Sequence, residues 1–415
     1  MNTRKIFFAI ATVALLGALC DGCCLIDTDP PDVSAFTVTS TVPADEDNAW
    51  CCLVAATNAV KRWVGSGDLK KLSSSEIDVV LAENVDAFAL LRCAAKCTKW
   101  HGPRGEECLI PLVGDFQKML KLYDIKGNCH IERGEIAAAV EVAGDLLNLG
   151  RTIRSDAESF VCLLVADGTC GVALSLAFRI VASGKASDEE LRQLLASMLA
   201  TDTAALRAGI RRTVDNEFLY WLTPGLQIFE DGFGGEGKCG VWCRYSYHPN
   251  RTRALCVVLY AKAKELLARD YDKGAWEDFE KEAAETTSRP LGRLTANHVG
   301  RTMVATSWPN FKNIAGRVAC GEFMLSSGKV VVSAELYRRK AGRRPKSLDA
   351  LVPEFLPAVP VDPFDHGAPL KYDAERGIVW TVGAEGIFKG DKLPGKKSYG
   401  RNGKYVVNID GSKVK

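Results

Sequence analysis

The chain has 415 residues, of which 47% are hydrophobic and 25% charged, with a formal net charge of +2. That length and balance suit two or three globular domains with ordinary cores. A near-neutral chain has no electrostatic case for nucleic-acid binding. Neither a phosphate-cradling glycine loop nor a basic–aromatic interleave appears, so nucleic acid is excluded as a partner.

The first residues read as an export segment. A basic stretch, Asn2 to Lys5, precedes an apolar run from Ile6 to Leu19. The run is short for a membrane span and suited to a signal peptide. Ala18-Leu-Cys20 offers small residues for cleavage, and Cys20, Cys23 and Cys24 raise lipidation as a further option. Residues 1–24 are therefore expected to be a signal peptide or membrane anchor, placing the protein in the periplasm, at the cell surface or on a membrane. Membrane contact is expected through this segment only. Of the 15 cysteines, 12 follow it, an even number compatible with disulfides in an oxidising compartment.

Residues 25–41, rich in Pro, Thr and Asp, read as a linker. The acids Asp45, Glu46 and Asp47 suit a helix N-terminus, and a helix should continue from Ala49 to Val64. Ser73-x-x-Glu76, Ser155-x-x-Glu158 and Ser187-x-x-Glu190 have capping-box spacing. They predict helices over 74–97, 156–183 and 188–200. Further helices are expected over 110–124, 132–149, 203–221, 251–269 and 275–286. Residues 42–300 thus read as a helix-rich body of stacked hairpins, with no clean repeat period.

A different pattern occupies 301–383. Ile314, Val318, Leu325, Val332 and Leu336 share one helical face, and Gly321 and Gly328 lie on it. Gly342 should end this helix after the cationic turn Arg338-Arg339-Lys340, and Pro345 blocks continuation. Ser347 to Leu351 suggests one helical turn. Four prolines between Pro353 and Pro363 hold an extended run, and Gly367 turns it toward two short strands, Leu370–Tyr372 and Ile378–Val382. The fold class expected is mainly α: a helical-hairpin body followed by a small α+β module of one long helix and a short antiparallel hairpin.

Glu335, Tyr337, Gly342, Pro345, Asp362-Pro363-Phe364, Gly367, Pro369 and Tyr372, with Leu348, Leu351, Leu370 and Gly383, resemble the soluble part of the major pseudopilin of type II secretion. The likeness covers about 70 residues. The whole chain is similar to large exported bacterial proteins of uncharacterised activity with an export segment, a helical middle and this ending. The runs Val42–Ala49, Asp145–Arg151 and Arg289–Arg293 carry that wider likeness. The resemblance implies an architecture and a cell-envelope address. A pilin's membrane helix runs directly into its soluble helix, and the apolar segment here lies far upstream, so polymerisation of the pilin kind is not expected. Pseudopilins also bind calcium in a loop after the hairpin. The corresponding stretch, Gly383 to Asp391, keeps Glu385 and Asp391 and adds Lys389. Calcium takes six to eight oxygens, so a solvated turn is the simpler reading. Residues 384–415 form a basic tail, a solubilising edge or a contact for an anionic surface polymer.

Metal and catalytic patterns are weak. Cys93, Cys97 and His101 recur at helical spacing with Cys108 beyond, an arrangement that could hold zinc. The spacing is not a standard one, and a disulfide from Cys93 or Cys97 to Cys108 is preferred. Cys239 and Cys243 with His248 likewise suggest a stapling disulfide. Cys51-Cys52 suit core packing, and Cys129-His130 adjacency does not make their side chains meet. No Gly-x-Ser-x-Gly elbow or His-Glu-x-x-His helix occurs. No catalytic or cofactor-binding residue is assigned, and calcium and zinc remain the only cofactor options. The expected function is non-catalytic binding or scaffolding of an envelope protein or surface polymer. The rivals are an exported hydrolase and a metal or redox protein.

Overall fold

The structure, a computed structural model, describes residues 27–37, 42–63, 72–102, 110–201, 203–222, 247–287, 297–307, 309–384 and 406–411. It is mainly helical, with a small three-stranded antiparallel sheet near the C-terminus. The stretch expected to be an export segment, Cys108, Cys239, Cys243 and the loop 385–391 lie outside the described residues.

The helices are α1 (Ala49–Asn58), α2 (Ser74–Glu83), α3 (Val85–Lys96), α4 (Ile110–Arg133), α5 (Ile136–Ser155), α6 (Phe160–Ser183), α7 (Asp188–Leu199) and α8 (Thr203–Asn216). A π turn, Glu217–Leu222, continues α8. Then come α9 (Pro249–Leu267), α10 (Lys273–Thr287), α11 (His298–Ser307) and α12 (Phe311–Ala341). The strands are β1 (Lys371–Asp373), β2 (Ile378–Trp380) and β3 (Val406–Asn408), in that order across the sheet.

Two capping boxes form as spaced, Ser73 with Glu76 and Ser187 with Glu190. The third does not. Glu158 is taken by His101, 3.0 Å away, and by the Gly102 N–H, so α5 runs through Ser155 and Ser159 caps α6 instead. The single helix expected over 74–97 is two helices, split at Asn84. That buried side chain takes the Lys61 N–H and donates to the Val80 and Arg62 carbonyls, competing with the helical ladder.

The chain divides into two compact units. One holds residues 1–37, 218–264 and 274–311. Its described core is aromatic: Phe36 stacks on Phe218 at 4.0 Å, Phe218 meets Tyr260, and Phe311 packs edge-on to Tyr260 and Phe279. Residues 27–37, with the composition of a linker, are part of this core. Asp27 accepts the Asn250 and Arg251 N–H groups, giving α9 an acid at its positive end.

The other unit holds residues 38–217, 265–273 and 312–415. Helix α6 is long and apolar enough to cross a membrane by length and composition, and here it is a core helix with 56% of its most apolar window buried. Helix α12 departs from a one-faced pattern. Val318, Leu325, Val332 and Leu336 are buried, but so is every residue from Val330 to Leu336, on all sides. A helix enclosed by neighbours needs no polar face.

Helix α12 ends at Ala341, with Gly342 at φ 67°, the left-handed stop that glycine supplies. Glu335 accepts from Arg338 and Arg339, and Arg339 donates to the Ala186 carbonyl at 2.6 Å. Leu348–Leu351 forms a 3-10 turn. The expected hairpin forms with Tyr372 opposite Val379, and β3 adds a third strand from the stretch read as a basic tail. The pairing of β2 with β3 spans an intervening segment, so no local turn pattern announces it.

Candidate functional site

Of the weak zinc set, the structure describes Cys93, Cys97 and His101. Helix α3 stops at Lys96, and Cys97 is extended at φ −64°, ψ 147°, which breaks the helical spacing before His101. Cys93 is exposed, Cys97 is buried with its Sγ 3.9 Å from that of Cys52, and His101 pairs with Glu158. Among the described residues no three His, Cys, Asp or Glu side chains gather to hold a metal. His130 is held by Glu135 at 2.6 Å, and His248 is buried.

The residues singled out near the end of the chain occupy fastening positions. Asp362, wholly buried, accepts the N–H groups of Phe364 and Val382 at 2.9 and 2.8 Å and the hydroxyl of Thr381. Tyr372 donates to the Pro345 carbonyl at 2.8 Å, and Tyr337 packs edge-on to Phe355. Pro363 and Phe364 are buried, with the Phe364 ring against Tyr271. Gly367 turns at φ 81°, and Pro369 pairs with Val361 in an isolated bridge.

Residues of α5, α6 and α12 line a cavity of about 670 Å³, a volume suited to a small ligand. Arg151 and Arg154 project into it from successive turns of α5. Asp167 and Cys170 do the same from α6, and Lys312 and Arg317 from α12. The described lining thus sets four cations against one carboxylate.

Arg154 is the central group. Its side chain is 4% exposed, and its Nη2 stands 2.6 Å from Asp167 Oδ1. The approach is poorly directed: Arg154 Nε and Nη2 and Asp167 Oδ1 have no hydrogen-bond partner among the described residues. A buried guanidinium with unspent donors is costly unless something accepts from it. Burial raises the Asp167 pKa, opposed by Arg154 and Arg317. Nearby, Arg207 contacts Asp270 at 2.6 Å and Glu322 at 3.5 Å, and burial raises Glu322 against the pull of Arg207 and Arg154. Burial also pushes the Cys170 thiol up to about 11, leaving it protonated and unreactive near neutrality. The arrangement can therefore attract, orient and desolvate an anion through a planar fork that matches carboxylate or phosphate.

A second perturbed group stands apart from this lining. Glu217 opens the π turn, and burial pushes it up to about 7, with only the Phe160 N–H to oppose the shift.

Sequence reading passed over Arg154, Asp167, Arg317 and Glu217. A signal was present for the first two. Arg154 continues the apolar face of Leu147 and Gly150, and Asp167 is a lone carboxylate in the apolar stretch of α6. A charge on an apolar face deserves the same suspicion as a buried one. No protein-family model, curated protein or solved structure matches the chain.

Proposed function

We propose that this is an exported cell-envelope protein that acts by binding, and that the cavity between α5, α6 and α12 is its site for a small carboxylate- or phosphate-bearing ligand. The basic and apolar start of the chain supports export. The long helix followed by a small sheet, joined by a proline-rich stretch that runs in turns rather than fully extended, supports an envelope role through its likeness to a pseudopilin, with Asp362 and Tyr372 as fasteners and a body of helical hairpins before it. The reading rests on one observation: Arg154 is buried at the cavity wall with unspent N–H donors, in a lining of cationic excess.

The test is calorimetric titration of the full chain with inorganic phosphate and with succinate, ionic strength held constant with chloride. Saturable binding of at least one anion is expected. Arg154→Lys keeps a positive charge beside Asp167 but loses the planar fork, and should bind at least tenfold more weakly with an unchanged circular dichroism spectrum. No saturable binding to the wild type, or equal affinity in the folded variant, refutes the proposal.

A hydrolytic reading draws on Glu217, since a carboxyl group titrating near 7 suits general acid–base chemistry. It requires ester or peptide hydrolysis by the wild type that Glu217→Gln abolishes.

A further inference from the structure

The frame around Cys52 and Cys97 is unusually well tied. Cys52 lies on α1, and Cys97 is the first residue beyond α3. The segments carrying them are stitched by backbone and side-chain bonds. Ala49 N–H donates to the Lys99 carbonyl at 2.9 Å, and Asn48 and Lys99 form an isolated parallel bridge. The Asn48 amide both donates to the His101 carbonyl and accepts its N–H, at 2.9 and 3.0 Å. Asp47 accepts the Thr98 N–H at 3.0 Å.

Within this frame the two Sγ atoms stand 3.9 Å apart. A disulfide needs them to close by about 2 Å. The Cys51 thiol has other partners. Cys51 Sγ lies 3.7 Å from Asp45 Oδ1 and 3.4 Å from the Asn48 amide, and Cys93 is exposed.

We propose that Cys52 and Cys97 form an intramolecular disulfide, made by exchange with a small-molecule or protein disulfide. Cys52 is half-buried and meets the oxidant first. Its thiolate attacks one sulfur of the incoming disulfide, forming a mixed disulfide and releasing one thiolate. Cys97 then loses its proton and attacks Cys52 Sγ, forming the internal bond and expelling the second thiolate. The two protein thiols give up two electrons and two protons, and the oxidant leaves as two thiols. Burial and the adjacent Cys52 thiol push Cys97 up to about 12, which makes its thiolate scarce and its attack slow; the proximity of the two sulfurs in the intramolecular step offsets this. The bond joins α1 to the end of α3 and constrains the unfolded chain between them. This pairing is distinct from one between Cys97 and Cys108.

The full chain is incubated with oxidised glutathione, blocked with N-ethylmaleimide, digested with trypsin without reduction and mapped by mass spectrometry. Cleavage after Lys96 separates Cys93 from Cys97. The expected product links the Cys52 peptide to the Cys97 peptide and disappears with dithiothreitol. It should persist in Cys51→Ser and vanish in Cys52→Ser, where Cys97 becomes alkylated. Reduction of the wild type should lower its melting temperature by several degrees. Recovery of both Cys52 and Cys97 as alkylated thiols, or of Cys97 bonded to Cys51, Cys93 or Cys108, overturns the proposal.

Discussion

The two halves of helix α12 solve opposite problems with similar residues. Its first half carries Lys312, Gly316, Arg317 and Gly321 along the wall of an open cationic cavity. Its second half, Val330 to Leu336, is buried on every side. Glycine means something different in each. At Gly316 a Cβ would meet only a Tyr271 ring carbon at 3.8 Å, an ordinary contact. At Gly328 it would stand 2.8 Å from Leu174 Cδ2 and 3.3 Å from Met198 Sδ. One glycine borders empty space, and the other lets two helices close on α12. The residue type alone cannot say which, because the answer belongs to the neighbour.

The largest break in this comparison should come from Leu336→Asp. The side chain is 2% exposed, so the change removes apolar contact and buries a charge without a partner. A loss of about 4 kcal/mol or more is expected in urea denaturation; the same denaturation midpoint as the wild type would mean the closed half is not closed.

Glu217→Gln asks what a half-buried carboxylate costs without the cavity's arginines. Glu217 titrates near 7 in the fold against 4.5 as the ordinary value. Between those values the folded state keeps a proton that the unfolded chain has lost, so stability falls as pH rises, and the loss is complete above pH 7. The shift corresponds to about 3 kcal/mol. The variant should be more stable than the wild type by roughly that amount at pH 8 and little different at pH 4.5. Equal pH profiles for the two proteins would remove Glu217 from the account.

The glycine pair gives the sharpest contrast and the smallest effects. Gly328→Ala should destabilise by about 2 kcal/mol, because Leu174 and Met198 are fully packed and must shift. Gly316→Ala should stabilise by up to about 1 kcal/mol, since alanine is the better helix former and space is free. The sign difference, read from thermal melts of both variants, is the critical quantity. Two changes of the same sign would merge the halves.

Local signals in the sequence located much of the fold. The boxes at Ser73 and Ser187 place their helix starts, and Gly342 with Pro345 places the end of α12. The failures are those of distant partners. Ser155 lost its box because His101 and Gly102, far away in sequence, claim Glu158. Asn84 splits a helix through bonds to residues 61 and 62. Of the cavity, only the charges on apolar helix faces were visible. That Arg154 meets Asp167, or that α12 supplies the third wall, depends on tertiary packing that no window of one helix contains.

The placement of β3 has a consequence for how the protein is made. Residues 406–411 are synthesised after every other described element. They pair with β2 and bring Gly411 against the Phe178 carbonyl of α6, with no room for a Cβ between them. The ribosome therefore delivers α6 more than two hundred residues before the segment that covers it, and the β2 edge stays without its second partner until Val406–Asn408 is made. A chain cut before Val406 keeps that edge, with the buried Val379 at its centre, available to strands of other molecules. Translation must pass residue 411 before this unit can close.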